Sequence, residues 1–188
     1  MSNSLGYLAA IANITGFVLY LRAIHNTGSS SAVGWFLSAV LALSAAIAQF
    51  TVSGSFAGSA SYFFGAACCA SVFLFSAKRG LSVVRADKVT AALALVVALL
   101  AFSFPAVSIY FLCCYYLLTY SVFFRAIAAG TKEPVHPWLI WCASAVLQLL
   151  SLRLSDASAQ SYILPLTNLT CWSGVALLAV RSHRMFRL

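Results

Sequence analysis

Apolar positions follow one another along this chain in long runs, and short polar segments separate the runs. Seven runs approach the roughly 20 apolar residues that a helix needs to cross the hydrocarbon core of a bilayer. They cover Leu5–Leu21, Gly34–Val52, Gly58–Ala77, Val89–Ser103, Pro105–Phe124, Pro137–Leu152 and Gln160–Val180. The pattern therefore predicts an all-α integral membrane protein with seven transmembrane helices.

The boundary at Ser103-Phe104-Pro105 is the weakest of the six, because proline is tolerated both at the start of a helix and at a kink. One long kinked helix is the alternative there. Such a helix would hold the 36 residues from Val89 to Phe124, which is too many for one crossing. We therefore expect two helices.

The composition of the chain indicates that most of it lies in a lipid bilayer. Of its 188 residues, 63% are hydrophobic and 7% are charged, with a mean hydropathy of +0.98. Soluble domains carry about 25% charged residues. The net charge of +8 does not indicate nucleic-acid binding, because the basic residues lie singly or in short clusters between apolar runs. No basic segment precedes the first run, so we expect it to stay as a membrane span.

The distribution of lysine and arginine predicts an orientation. Ten basic residues fall in segments on one side of the seven spans, and one falls on the other side, which by the positive-inside rule places the ten in the cytoplasm. The N-terminus would then lie outside and the C-terminus in the cytoplasm. The ten are Arg22, Lys78, Arg79, Arg85, Lys88, Arg125, Lys132, Arg181, Arg184 and Arg187, against Arg153 alone.

The predicted spans contain no charged side chain, since Asp87, Glu133 and Asp156 all fall in predicted loops. Coupling to protons or sodium through a carboxylate in the membrane is therefore not expected. An enzyme is not expected either, because phosphotransfer needs acidic metal ligands and a nucleophile needs a neighbouring base. The six cysteines lack metal-site spacing and are interpreted as packing residues. We predict no cofactor and no metal.

Uncharged polar residues inside the spans are the candidate substrate-binding residues. Buried amides lower their free energy by hydrogen bonding, so they should face the bundle interior, where they contact either another helix or a solute. Trp172 follows Asn168 by four residues and shares its helix face. Gln49 is expected at the membrane interface, and Trp35 and Trp138 as interface anchors. The candidates are Asn168, Trp172, Asn13, Gln148 and Thr167.

The chain also contains an internal repeat with an offset of 103 residues. From position 22 to position 78 no gap is needed, and nine identities include Arg22-Ala23-Ile24 with Arg125-Ala126-Ile127, Trp35 with Trp138, and Cys68 with Cys171. Each repeat holds three spans and the fourth span links them, so both repeats have the same orientation. The predicted units are residues 1–80, a linker helix in 81–104, and residues 105–188 with a basic tail.

This layout resembles the SWEET and PQ-loop superfamily of transporters. The segment from Tyr20 to Trp35 resembles the end of that family's first helix and its Ser/Gly-rich loop, and Pro165-Leu-Thr-Asn168 resembles its last helix. Leu19-Tyr20 and Val122-Phe123 stand where the Pro-Gln dipeptide would fall. The resemblance implies two parallel triple-helix bundles with Asn168 as a substrate residue, whose partner position in the first repeat is Gly65.

These observations favour a passive facilitator of a small neutral solute such as a sugar, working by alternating access between the repeats. The alternative is a non-transporting receptor or scaffold with the same helical layout. The expected partners are the solute and the lipid bilayer, without nucleic acid. The sequence leaves the solute's identity and a homo-oligomer open.

Overall fold

A computed structural model of the protein describes residues 2–27, 31–54, 56–78, 85–103 and 107–185. All regular secondary structure in these ranges is helical, as the apolar runs predict. A short 3₁₀ turn, Ala159–Tyr162, precedes the last helix. The α-helices are α1 Ser2–Thr27, α2 Ala32–Ser53, α3 Phe56–Ala77, α4 Arg85–Ser103, α5 Ser108–Ala128, α6 Val135–Leu154 and α7 Ile163–Met185.

The described helices are mostly longer than the apolar runs and take in flanking polar residues. Asp87 was expected in a loop, but it lies in the first turn of α4. There its carboxylate is 3.4 Å from the guanidinium of Arg125 in α5. The prediction of two helices around Ser103 is confirmed, because α4 ends at Ser103 and lies alongside α5, which begins at Ser108. Phe104 and Pro105 themselves lie outside the described residues.

Local chemistry accounts for the two ends of α2. Ser31 has extended backbone angles, and its side chain accepts a hydrogen bond from the Gly34 N–H at 3.1 Å, which caps the start of the helix. At the other end Gly54 adopts φ +62°, and its N–H bonds the Phe50 carbonyl at 2.8 Å. Glycine adopts this left-handed conformation without steric cost, so the helix stops there.

Six helices of the described ranges are long and apolar enough to cross a membrane, namely α1, α2, α3, α5, α6 and α7. Their outer faces carry large apolar side chains such as Leu117, 62% exposed, and Leu177, 70% exposed. Apolar side chains on this scale fit a lipid environment. The chain thus has the layout of a multi-pass integral membrane protein. A crossing by α4 stays a prediction.

The packing of the helices repeats itself. In the first half α3 packs against both α1 and α2, and in the second half α7 packs against both α5 and α6. The halves meet through two helix pairs, α1 with α6 and α2 with α5. Helix α4 lies mainly against α5. With the 103-residue offset, α1 corresponds to α5 and α2 to α6, so the two pairs between the halves correspond as well.

Basic side chains concentrate at one end of the helical assembly, which we call the basic end. Helices α1, α3, α5 and α7 end there, and α2, α4 and α6 begin there. Contacts across this end join Tyr20 to Glu133 and Arg125 to Asp87. Arg79 and Arg187 lie outside the described residues. The described basic residues placed there are Arg22, Lys78, Arg85, Lys88, Arg125, Lys132, Arg181 and Arg184.

Candidate functional site

A central cavity lies where the two halves of the molecule meet. It has a volume of about 40 Å³ open to water-sized molecules, and both halves contribute to its wall. It is mostly apolar with a few convergent polar groups, which is typical of small-molecule sites. The lining residues are Asn13, Phe17, Trp35, Ser38, Leu41, Ala42, Ser61, Tyr62, Gly65, Cys69, Tyr116, Tyr120, Trp138, Trp141, Asn168 and Trp172.

All four tryptophans of the chain line this cavity. The ring centroids of Trp35 and Trp138 are 6.2 Å apart, those of Trp138 and Trp141 are 4.8 Å apart, and those of Trp141 and Trp172 are 6.2 Å apart. The expectation that Trp35 and Trp138 are interface anchors is wrong, since both are buried. Their rings pack on each other across the boundary between the halves instead.

Three polar atoms on the cavity wall have no hydrogen-bond partner in the structure. They are Asn13 Oδ1, Asn168 Oδ1 and Ser38 Oγ. A buried amide or hydroxyl without a partner costs roughly 1–3 kcal/mol, so nearly all such groups in proteins find one. The convergence of three of them on one cavity indicates that water or a polar ligand completes their hydrogen bonding.

Asn13 occupies the space that Gly65 leaves free. A Cβ atom on Gly65 would lie 3.8 Å from Asn13 Oδ1 and 3.9 Å from Asn13 Nδ2. Gly65 is the repeat partner of Asn168, and so the first repeat has no amide at that position. The amide on this side of the cavity comes from α1 instead, and the wall carries one amide from each half.

The lining residues of the two halves correspond to one another through the repeat. Twelve of the lining residues form pairs separated by 103 positions, which places the cavity at equivalent depths of both halves. Phe17 with Tyr120 and Trp35 with Trp138 keep an aromatic ring in both members. The remaining pairs are Asn13 with Tyr116, Ser38 with Trp141, Gly65 with Asn168, and Cys69 with Trp172.

The other predicted site residues lie behind the wall. Gln148 is buried close to the Tyr62 hydroxyl, and is not among the lining residues. Thr167 donates its hydroxyl to the Ile163 carbonyl at 2.8 Å and lies 3.3 Å from Cys113 Sγ. Gln49, expected at the interface, is fully buried and donates to the Ser161 carbonyl at 3.2 Å. That expectation is wrong, because the turn before α7 covers Gln49.

Helix α6 is joined to the backbone of α1 beside the cavity. The Trp141 indole N–H donates to the Asn13 carbonyl at 3.1 Å, and the Ser144 hydroxyl donates to the Ala9 carbonyl at 2.7 Å. Between these helices Gly16 faces Trp141, and a Cβ at Gly16 would lie 2.4 Å from the indole nitrogen. On the opposite side of the cavity, the Trp172 indole N–H donates to the Tyr120 hydroxyl.

Glu133 lies in the loop between α5 and α6, as the sequence predicts. Its side chain is fully buried at the basic end. Its carboxylate accepts hydrogen bonds from the Tyr20 hydroxyl at 2.9 Å and from the Trp138 indole N–H at 3.4 Å. Burial raises the pKa of Glu133 to about 7, although these hydrogen bonds oppose the rise. Asp87 lies among the same basic segments, so the sequence held no signal that distinguishes Glu133.

No protein-family model, curated protein or solved structure matches the chain.

Proposed function

We propose that the protein is a passive facilitator that carries a small neutral solute, such as a sugar, across a membrane by alternating access. The observation that carries this proposal is the central cavity, whose wall holds the unpartnered amide oxygens of Asn13 and Asn168, one from each half, among aromatic side chains. Hydrogen-bonding amides combined with aromatic faces suit a solute that has both hydroxyl groups and apolar ring faces.

The helix packing supports a plan of two parallel triple-helix bundles with α4 as the linker. In each half the third helix packs against the first two, and the contacts between halves are related by the same 103-residue offset. A cavity between two parallel repeats is where transporters of this design hold substrate. The resemblance of the Tyr20–Trp35 segment and of Pro165–Asn168 to SWEET transporters points the same way.

The neutral character of the solute follows from the cavity wall. The lining residues within the described part of the chain carry no formal charge. A charged solute would lose its hydration there without gaining an opposite charge, which is unfavourable in a site of low polarity. Transport of the solute alone, without a coupled ion, is the simplest mode for a cavity whose described lining residues include no charged side chain.

The small volume of the cavity indicates a closed conformation of the protein. A volume of about 40 Å³ holds about three water molecules, and is too small for a sugar. Solute entry therefore requires the halves to move apart at one end of the molecule. The helix pairs α1 with α6 and α2 with α5 would change their packing during this movement. In our proposal the basic end faces the cytoplasm and the N-terminus lies outside.

The test is solute entry into liposomes that contain the purified protein. A panel of labelled neutral solutes (sugars, nucleosides and small amides) is offered without an ion gradient. We expect saturable entry of one class, and a decrease of at least about tenfold for Asn168→Leu and for Asn13→Leu, because a solute hydroxyl then loses its acceptor.

The chain supplies a matched control for each variant. Thr170 and Thr15 follow the two asparagines by two residues, are exposed, and donate their hydroxyls to their own helices. Thr170→Val and Thr15→Val should therefore leave entry unchanged. If a folded wild-type protein admits no solute of the panel, the proposal fails and the receptor or scaffold function takes its place.

A further inference from the structure

Glu133 connects the two halves of the molecule at the basic end. It lies in the loop between α5 and α6, and the Tyr20 hydroxyl of α1 donates to both of its oxygens, at 2.9 and 3.2 Å. The Trp138 indole N–H of α6 donates to Glu133 Oε2 at 3.4 Å, and the Trp35 indole N–H of α2 donates to the Tyr20 hydroxyl at 3.2 Å. We call these four residues the Glu133 cluster.

The Glu133 cluster is continuous with the central cavity. Trp35 and Trp138 belong to both, since their rings line the cavity and their indole N–H groups belong to the cluster. Tyr20 packs on Trp35 with ring centroids 4.7 Å apart. Separation of the halves at the basic end would break the Tyr20–Glu133 hydrogen bonds and expose the carboxyl group to water.

We propose that Glu133 is a proton-binding site, and that its bound proton keeps the central cavity closed at the basic end. Loss of the proton favours opening. This inference rests on the proposed function only for its consequence in transport, namely that solute release at the basic end depends on pH. The proton site itself requires only the cavity and the Glu133 cluster.

The direction of the effect follows from the two environments of the carboxyl group. In the closed arrangement burial raises its pKa to about 7, above its ordinary value of 4.5. In an open arrangement, water would return the pKa toward that ordinary value. A group with a higher pKa in the closed arrangement stabilises it when protonated. This stabilisation is complete below about pH 4.5 and is lost as the pH rises through 7.

The titratable neighbours define the controls. Tyr20 faces Glu133 from α1, whereas α6 and α2 present the indoles of Trp138 and Trp35, which do not titrate. Lys132 precedes Glu133 in the loop and is exposed. His136, at the start of α6, is exposed as well.

Arg22 on α1 is exposed as well. His136 carries an imidazole three residues after Glu133, so it requires a variant of its own.

The experiment is a titration of tryptophan fluorescence in the purified protein from pH 4 to pH 9. Because every tryptophan lines the cavity, opening at the basic end changes the emission of these four side chains. We expect one transition, with a midpoint between the ordinary pKa of 4.5 and the raised value of about 7. Glu133→Gln should remove this fluorescence transition and keep the low-pH spectrum at every pH, because glutamine imitates the protonated carboxyl group. His136→Gln should retain it.

Tyr20→Phe gives a second, independent readout. The Tyr20 hydroxyl bonds Glu133 only while the halves are together, so its loss weakens the closed arrangement and should move the opening midpoint to lower pH, by up to about one pH unit. A transition that persists in Glu133→Gln, or that disappears in His136→Gln, would overturn the proposal. If Glu133→Gln does not fold, an unchanged midpoint in Tyr20→Phe overturns it. No solute is needed, so failure of the transport assay and failure of the proton site are distinguishable.

Discussion

The two halves of the molecule contribute different chemistry to equivalent positions of one cavity. Where the first half has the small residues Ser38 and Cys69, the second half has Trp141 and Trp172. At these two positions the first half provides space, and the second half provides the aromatic surface that fills it. At the pair of Asn13 and Tyr116 the second half again carries a ring, and the first half carries an amide.

This difference gives one cavity two unlike walls. Trp35 and Trp138, which are 103 residues apart in the sequence, pack on each other. The amides are placed differently, since Asn13 of α1 lies beside Gly65 and the second half has its amide at Asn168. A solute that bonds both amides would be held at two points, which would orient it within the cavity.

The largest effect is expected at the junction of α1 and α6. Gly16→Ala would place a methyl group 2.4 Å from the Trp141 indole nitrogen, so the two helices must separate. We expect a loss of about 3 kcal/mol in unfolding free energy, the upper part of the range for overpacking. Thermal unfolding in detergent measures it. Gly65→Ala is the control, because its added carbon meets only atoms at ordinary contact distance and should leave the stability nearly unchanged.

Moving the first amide from α1 to α3 would make the halves alike. Gly65→Asn alone should lower solute entry at least about tenfold, because two amides would compete for the space beside Gly65. Gly65→Asn combined with Asn13→Ala should recover part of the entry, since one amide then remains on that side. An equal loss of solute entry in the single and the double variant would contradict the prediction that an amide on α3 can replace the amide on α1.

A smaller effect is expected from the aromatic surface of the second half. Trp172→Phe keeps a ring but removes the indole N–H that donates to Tyr120. We expect solute affinity to fall by roughly threefold to tenfold, from about 1 kcal/mol of lost stacking and hydrogen bonding. Binding measured by quenching of the remaining tryptophans tests this. Its repeat partner Cys69→Ala should change affinity less, because Cys69 offers the solute no ring.

The smallest effect is expected where α4 joins the second half. Asp87 pairs with Arg125, whose side chain is 43% exposed, and exposed ion pairs contribute less than about 1 kcal/mol. Asp87→Asn should thus lower the unfolding free energy by less than about 1 kcal/mol, and the loss should shrink at high salt. A loss well above about 1 kcal/mol would indicate that α4 stabilises the packing of the two halves and is more than a covalent connection between them.

Features that depend on local composition could be predicted from the sequence. The helices and the collection of basic residues at one end follow from hydropathy and charge along the chain, without knowledge of helix packing. The four-residue spacing between Asn168 and Trp172 was enough to place them on one helix face, and the structure has both on the cavity wall.

Features that depend on contacts between distant helices could not be predicted. A tryptophan near the end of an apolar run usually marks the membrane interface, but Trp35 and Trp138 are buried because the halves bring them together. Burial of Glu133 likewise requires Tyr20, which is 113 residues away along the chain. Gln49 is covered by a turn that lies far from it in the sequence.

The hydrogen bonds between α6 and α1 have a consequence for mutational tolerance. Trp141 and Ser144 donate to the carbonyls of Asn13 and Ala9, and every residue type carries such a carbonyl. The register of these two helices is therefore independent of most side chains of α1. The lipid-facing positions Leu8 and Ile11 should accept any apolar residue over evolutionary time, while Gly16, one turn further on, should accept none.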